Sequence, residues 1–154
     1  MIILKPARRS EEGQALIEFA LIGLFLILLI VGFLELTLMV HTYNVLADAA
    51  KEGVRYAIVH GSANTGGSGP TCPCAAIDGA PGTGVVKTYA QYSLHSTTPM
   101  TVTVDYNPGN DNKAACNKAP CLVRVTVSYP YRPFFNLGWP TINVYAAAQG
   151  RIIF

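Results

Sequence analysis

The chain has 154 residues, of which 51% are hydrophobic and 13% charged, and its formal net charge is +2 at pH 7. That length holds one compact domain plus a membrane segment and is short for two full soluble domains. Its 11 Lys and Arg are scattered and form no stripe on any one element, so a nucleic-acid partner is not expected.

Residues 1–13 read as a short cytoplasmic leader carrying Lys5, Arg8 and Arg9. From Phe19 to Leu34 every residue is apolar or Gly, and Leu36, Leu38, Met39 and Val40 extend the apolar character past Glu35. Sixteen residues at ~1.5 Å each reach about 24 Å, short of a ~30 Å hydrocarbon core, so Leu16, Ile17 and the 36–40 segment must also enter the bilayer. A transmembrane helix over 14–40 follows, with Glu18 and Glu35 near its two faces. Basic residues are retained on the cytoplasmic side, which places everything after the span outside the cytoplasm. A cleaved secretory signal is the alternative, but the apolar run is longer than an ordinary h-region and no small-x-small site follows it at the right distance.

Glu18 stands immediately before the unbroken apolar run, where an unpaired carboxylate costs a few kcal/mol if it enters the membrane. One reading leaves Glu18 as a marker of the helix end, reaching the headgroups. In the other it pairs with a positive charge in an assembly. Gly13 lies five residues before it, and cutting after Gly13 makes Gln14 a new N-terminus whose ammonium neutralises Glu18 of a neighbouring helix.

Residues 41–60 lack Pro and are rich in helix formers, so the helix is expected to continue beyond the membrane to a stop at Gly61. Tyr43, Leu46, Ala50, Val54, Ala57 and Ile58 recur at three- and four-residue spacings and form one apolar face for the following domain. A helix from about 14 to 60 spans ~70 Å and acts as a spine. The alternative is two helices with a break between Glu35 and His41. Arg55 is placed to pair with Glu52 or Asp48, a surface contact of small energetic value.

Gly-Gln-Ala-Leu-Ile-Glu-Phe-Ala-Leu at 13–21, the Leu/Ile-rich span, Glu35, and Asn-Val-Leu-Ala-Asp-Ala-Ala-Lys-Glu-Gly-Val-Arg-Tyr-Ala at 44–57 together resemble the TadE-like proteins. These are pseudopilin-like components of the tight-adherence (Flp pilus) assembly machinery of bacteria, and the resemblance covers roughly residues 9–59. It implies cleavage by a prepilin peptidase between Gly13 and Gln14, with Glu18 and Phe19 as the recognised pair. It also implies residence in the bacterial cytoplasmic (inner) membrane or in a pilus, with other pilin and pilus-assembly proteins as partners. One departure is that pilin subunits of such systems usually carry Tyr where Phe19 stands.

After a Gly-rich break at 61–70, a short helix is expected over Val85–Leu94, and strands over Met100–Tyr106, Leu122–Tyr131 and Thr141–Ile152. Alternation puts Val102, Val104 and Tyr106 on one side, as it does Val123, Val125, Val127 and Tyr129, and Ile142, Val144, Ala146 and Ala148. The expected fold is α+β and pilin-like, with a long N-terminal transmembrane helix continuing as a spine packed on a small antiparallel three-stranded sheet in the 61–154 domain. Phe134, Phe135, Leu137 and Trp139 fall in the loop before the last strand. They either pack on the core or meet a partner, and a small domain favours self-packing.

Cys72, Cys74, Cys116 and Cys121 all follow the span, in a compartment where disulfides persist, and two disulfides are expected. Pairing Cys72 with Cys74 is disfavoured by the Pro between them, and the two cross-pairings stay open. Cys-Pro-Cys fits a zinc site poorly, so no metal or other cofactor is expected. The stretch from Asp105 to Asn112 lacks the closing Glu of a calcium loop and reads as a turn. His41, His60 and His95 have no nucleophile or carboxylate at a catalytic spacing, and the chain reads as no enzyme. Glu35, Arg55, Phe134, Phe135 and Trp139 are the partner-binding candidates. The sequence favours a TadE-like assembly component, and the alternative is an unprocessed, membrane-anchored extracytoplasmic binding module.

Overall fold

No Pro interrupts the residues from Arg9 to Val59, and the computed structural model forms them into one 51-residue helix, α1 (Arg9–Val59). The structure describes residues 9–61, 75–80, 82–108, 118–135 and 140–153, with the side chains of 9–12 and of Ala75 left aside. The leader before Arg9, most of the Gly-rich break, Cys72, Cys74, Cys116, Leu137 and Trp139 lie outside the described residues. After α1 come two short helices, α2 (Ala75–Asp78) and α3 (Val85–Ala90), and three strands, β1 (Thr101–Tyr106), β2 (Leu122–Tyr131) and β3 (Ile142–Arg151). The fold is α+β. No break falls between Glu35 and His41, α2 escaped the sequence reading, and α3 ends at Ala90, four residues before the expected Leu94. Beyond Ala90 the chain tightens into turns in which the amides of Ser93 and Leu94 both donate to the Ala90 carbonyl.

The chain divides into two compact units, Met1–Leu38 and Met39–Phe154, and α1 contributes to both. In the first unit, the α1 side chains from Leu16 to Leu38 are large and exposed almost all round, Phe19, Phe25 and Phe33 among them. Apolar residues on every side suit a helix whose solvent is lipid.

In the second unit the strands pair in sequence order as an antiparallel meander, β1-β2-β3. The register sets Val102 opposite Val127, Val104 opposite Val125, Val125 opposite Ala148 and Val127 opposite Ala146, so the apolar positions of all three strands share one face. A three-stranded sheet needs a cover for such a face. The second part of α1 supplies it: Val45, Leu46, Ala49, Ala50, Val54 and Ala57 join Val123, Val125, Val127, Val144 and Ala146 in one core, closed by Ile77 of α2 and Val86 of α3.

Helix and sheet approach closely because both present small residues. A Cβ built on Gly53 would stand 2.6 Å from Val86 Cγ2 and 3.3 Å from Val125 Cγ1, and one on Gly150 would stand 2.5 Å from Ile58 Cδ1 and 2.7 Å from Val54 Cγ1. This corrects the expected helix face. The buried arc runs over Thr42, Val45, Ala49 and Gly53 as well as Leu46, Ala50, Val54 and Ala57, while Tyr43 is 48% exposed. Apolar bulk alone misplaced the arc, since the line of closest approach is marked by small side chains. Ile142 likewise follows the inward alternation yet is exposed, because it is the first residue of β3, at the end of the sheet.

The last turn of α1 closes on His60, whose amide donates to the Tyr56 carbonyl at 3.1 Å and whose ring stacks on Tyr56 with centroids 3.9 Å apart. At the same end of the sheet the Ile153 amide donates to Ile58 O, the Ile152 amide to Cys121 O, and Asn107, with φ 73°, donates its amide to Leu122 O. Asn tolerates that left-handed conformation better than most residues. Cys121 is disulfide-bonded, and its three possible partners all lie outside the described residues.

Substituting Gly53→Val forces branched carbons into Val86, and denaturant unfolding of the full chain in detergent is expected to register a loss of about 1–3 kcal/mol. Gly23→Ala, where nothing lies within 4 Å, serves as the control for steric clash. In peptide mapping under denaturing conditions, Cys121 is expected to resist alkylation until the chain is reduced.

Candidate assembly face on the N-terminal helix

Helical periodicity brings Gly13, Gln14, Ile17, Glu18 and Leu21 to one side of α1, where they line a shallow open surface. The Gly13–Gln14 peptide bond therefore shares a face with the carboxylate of Glu18, one turn further on, and Phe19 projects beside it into open surroundings. Glu18 is exposed, and among the described residues nothing hydrogen-bonds or pairs with it. A carboxylate on an apolar, solvent-exposed helix is a group waiting for a counter-charge if lipid replaces water around it.

Glu35 behaves differently. It is only 4% exposed while its neighbours Leu34 and Leu36 are exposed, and it is engaged in an interaction, so it does not face out with the apolar residues around it. Two acidic residues at the ends of one apolar run thus have opposite environments. Nearby, Thr37 Oγ1 donates to Phe33 O at 2.9 Å, which satisfies the hydroxyl within the helix itself.

The remaining candidates are dispersed. Arg55 is exposed on the helix and pairs with Glu52 at 3.5 Å, not with Asp48, which accepts a 2.9 Å hydrogen bond from Lys51. That hydrogen bond to Asp48 holds the Lys51 ammonium above its ordinary pKa. Phe134 and Phe135 pack edge-to-face, with centroids 5.2 Å apart, but do not fold back on the core: they are 78% and 42% exposed. The expectation of self-packing fails for this pair: the core cluster includes Tyr131 and Val144 of the adjoining strands but not Phe134 or Phe135. Exposure of Phe134 and Phe135 is not readable from composition.

Among the described residues no cluster of His, Cys, Asp and Glu is placed to hold a metal ion. A groove of ≈ 330 Å³ lies between α1 and α3, lined by Glu52, Thr83, Thr88, Tyr89 and Tyr92. His41 and His95 are exposed, and His60 is occupied at the helix end.

The family model of TadE-like proteins matches residues 13–55. No curated protein and no solved structure matches the chain. The matched segment begins at Gly13, takes in Glu18, Phe19 and Glu35, ends at Arg55, and leaves α2, α3 and the sheet outside. TadE-like components of such pili are structural and not enzymes, and the long apolar helix fits a single-pass membrane protein. Over residues 13–55 the chain is similar to the TadE-like family, and that similarity suggests a component associated with a Tad pilus.

Proposed function

We propose that this protein is a structural component in the assembly of a tight-adherence (Flp) pilus or a related secretion machine, acting by helix-to-helix packing in the bacterial inner membrane and not by catalysis. The observation that carries the reading is the first part of α1: apolar side chains exposed all round, with Glu18 and the Gly13–Gln14 bond on one face, inside the TadE-like segment. Lys5, Arg8 and Arg9 keep the N-terminus cytoplasmic, and the sheet unit stands on the other side.

In this reading a prepilin peptidase cuts between Gly13 and Gln14, with Glu18 and Phe19 as its recognition pair. Cleavage exposes an ammonium at Gln14 and frees the first backbone N–H groups of the helix, so the new terminus carries both a full charge and the positive end of the helix dipole. Glu18 of a neighbouring copy or pilin is the matching anion. In a low-dielectric surround the pair gains more than it does in water, and each member removes the other's burial cost. Lateral packing of the remaining apolar surface then needs only shape, because lipid tails are as apolar as the side chains.

Exposure of Phe134 supports a second reading, an unprocessed anchored module that binds a partner through its sheet unit. Glu18→Gln separates the two. Under the assembly reading, the variant in its native host enters pilus or assembly complexes far less than the parent, as measured by co-purification, while its membrane level holds. Equal co-purification of the variant favours the anchored module.

A further inference from the structure

In an antiparallel pair every second residue turns its N–H and C=O toward the partner strand, and the residues between turn theirs the other way. Two hydrogen bonds fix the parity in this sheet. The Ile152 amide donates to Cys121 O, continuing the register that sets Leu122 opposite Arg151, so the even-numbered residues of β3 bond to β2. The Asn107 amide donates to Leu122 O in the same way, so β2 bonds to β1 through its even-numbered residues and to β3 through its odd-numbered ones. Pro130, which has no N–H to give, agrees with this: it is even-numbered, and β1 pairs no further along β2 than Ser128.

The N–H and C=O groups of Asn143, Tyr145, Ala147, Gln149 and Arg151 therefore point away from the sheet, along the outer edge of β3. Among the described residues no hydrogen bond is made to these backbone groups. The next outward amide, that of Ile153, donates to Ile58 O, so the end of α1 closes the edge at that point. Over its ten residues β3 has no Pro, no Lys and no break in register, and its one charge is Arg151. It lacks the devices that keep an edge from pairing. β1, the other edge strand, has six residues, lies against α2, and its Tyr106 is engaged.

The side chains of Asn143, Tyr145, Ala147, Gln149 and Arg151 all lie on the exposed face. Among the described residues no carboxylate stands within ion-pair distance of Arg151, and Asp105 is on β1, opposite Arg124. A strand added at this edge meets a positive charge at one end and an exposed Tyr toward the other. A second copy paired through its own β3 about Ala147 would set Asn143 opposite Arg151 and bring no anion.

We propose that the outer edge of β3 takes an extended segment of a partner protein as an added antiparallel strand, with a carboxylate opposite Arg151 and a β-branched or aromatic residue opposite Tyr145. The closed point at Ile153 sets the register, because the incoming strand can bond as far as Arg151 and no further. The proposal uses second-unit residues alone and stands whether or not the leader is cleaved.

The test uses the full chain in detergent, with residue-resolved amide exchange as the readout. The probe is a capped peptide that begins with Glu and then alternates Val and Thr. In the chain alone, the amides of Tyr145, Ala147 and Gln149 are expected to exchange fast and those of Val144, Ala146 and Ala148 slowly. The peptide is expected to slow the first set, and the same peptide N-methylated at its edge-facing residues to leave it unchanged. A peptide with Lys in place of Glu is expected to bind about threefold more weakly, and Arg151→Glu to reverse that order. Fast exchange that millimolar peptide leaves unaltered, or equal binding of the Glu and Lys peptides, overturns the proposal. Protection of Tyr145, Ala147 and Gln149 in the chain alone overturns it too: protection that fades on dilution gives the edge to a second copy, and protection that persists gives it to the chain itself.

Discussion

Lipid offers a backbone no hydrogen-bond partners, so a chain that crosses it once must do so as a helix closed on itself. In the second unit the described part of the sheet packs on such a helix. For the first part of its length α1 is apolar on all sides, and for the second it is apolar on one arc and polar on the rest, with Asp48, Lys51 and Arg55 turned outward. The change occurs without a break in the helix, and its first part fits a membrane span while its second packs on the sheet.

The sheet depends on the second part. Three strands of 6, 10 and 10 residues leave one apolar face that they cannot close by themselves. α1 covers it with Leu46, Ala49, Ala50, Val54 and Ala57, while Gly53 and Gly150 let the two surfaces approach until only side-chain tips separate them. Close approach on small residues enlarges the contact of long side chains nearby, and dispersion and burial both grow with it.

Much of this was legible because it is periodic. The apolar run announces a span whatever its neighbours do, and the alternation in β2, with Val123, Val125 and Val127 inward, fixes both the strand and its buried face. The acid at Glu18 stands out against that run, and the segment around it is the one the TadE-like family model matches. What escaped is non-periodic. α2 has four residues, too few to show a pattern. The helix arc was displaced toward Tyr43 since Ala49 and Gly53 carry little apolar weight though they lie nearest the sheet. The exposure of Phe134 and Phe135 is a property of the assembled fold and not of the loop. The position of Glu35 is legible in the sequence, but its burial beside exposed Leu34 and Leu36 is a tertiary fact.

The central claim is that one unbroken helix passes from lipid into a protein core, and a nitroxide scan along α1 from Leu16 to Tyr56 in bilayers tests it most directly. The account predicts contact with dissolved oxygen and protection from an aqueous nickel relaxant at every position between Phe19 and Leu34. Beyond Thr42 it predicts a 3.6-residue alternation in mobility, with Leu46, Ala50, Val54 and Ala57 immobile and Asp48, Lys51 and Arg55 in water. Aqueous accessibility at Ile22, Leu26 or Ile30, or a loss of periodicity beyond Thr42, would contradict it.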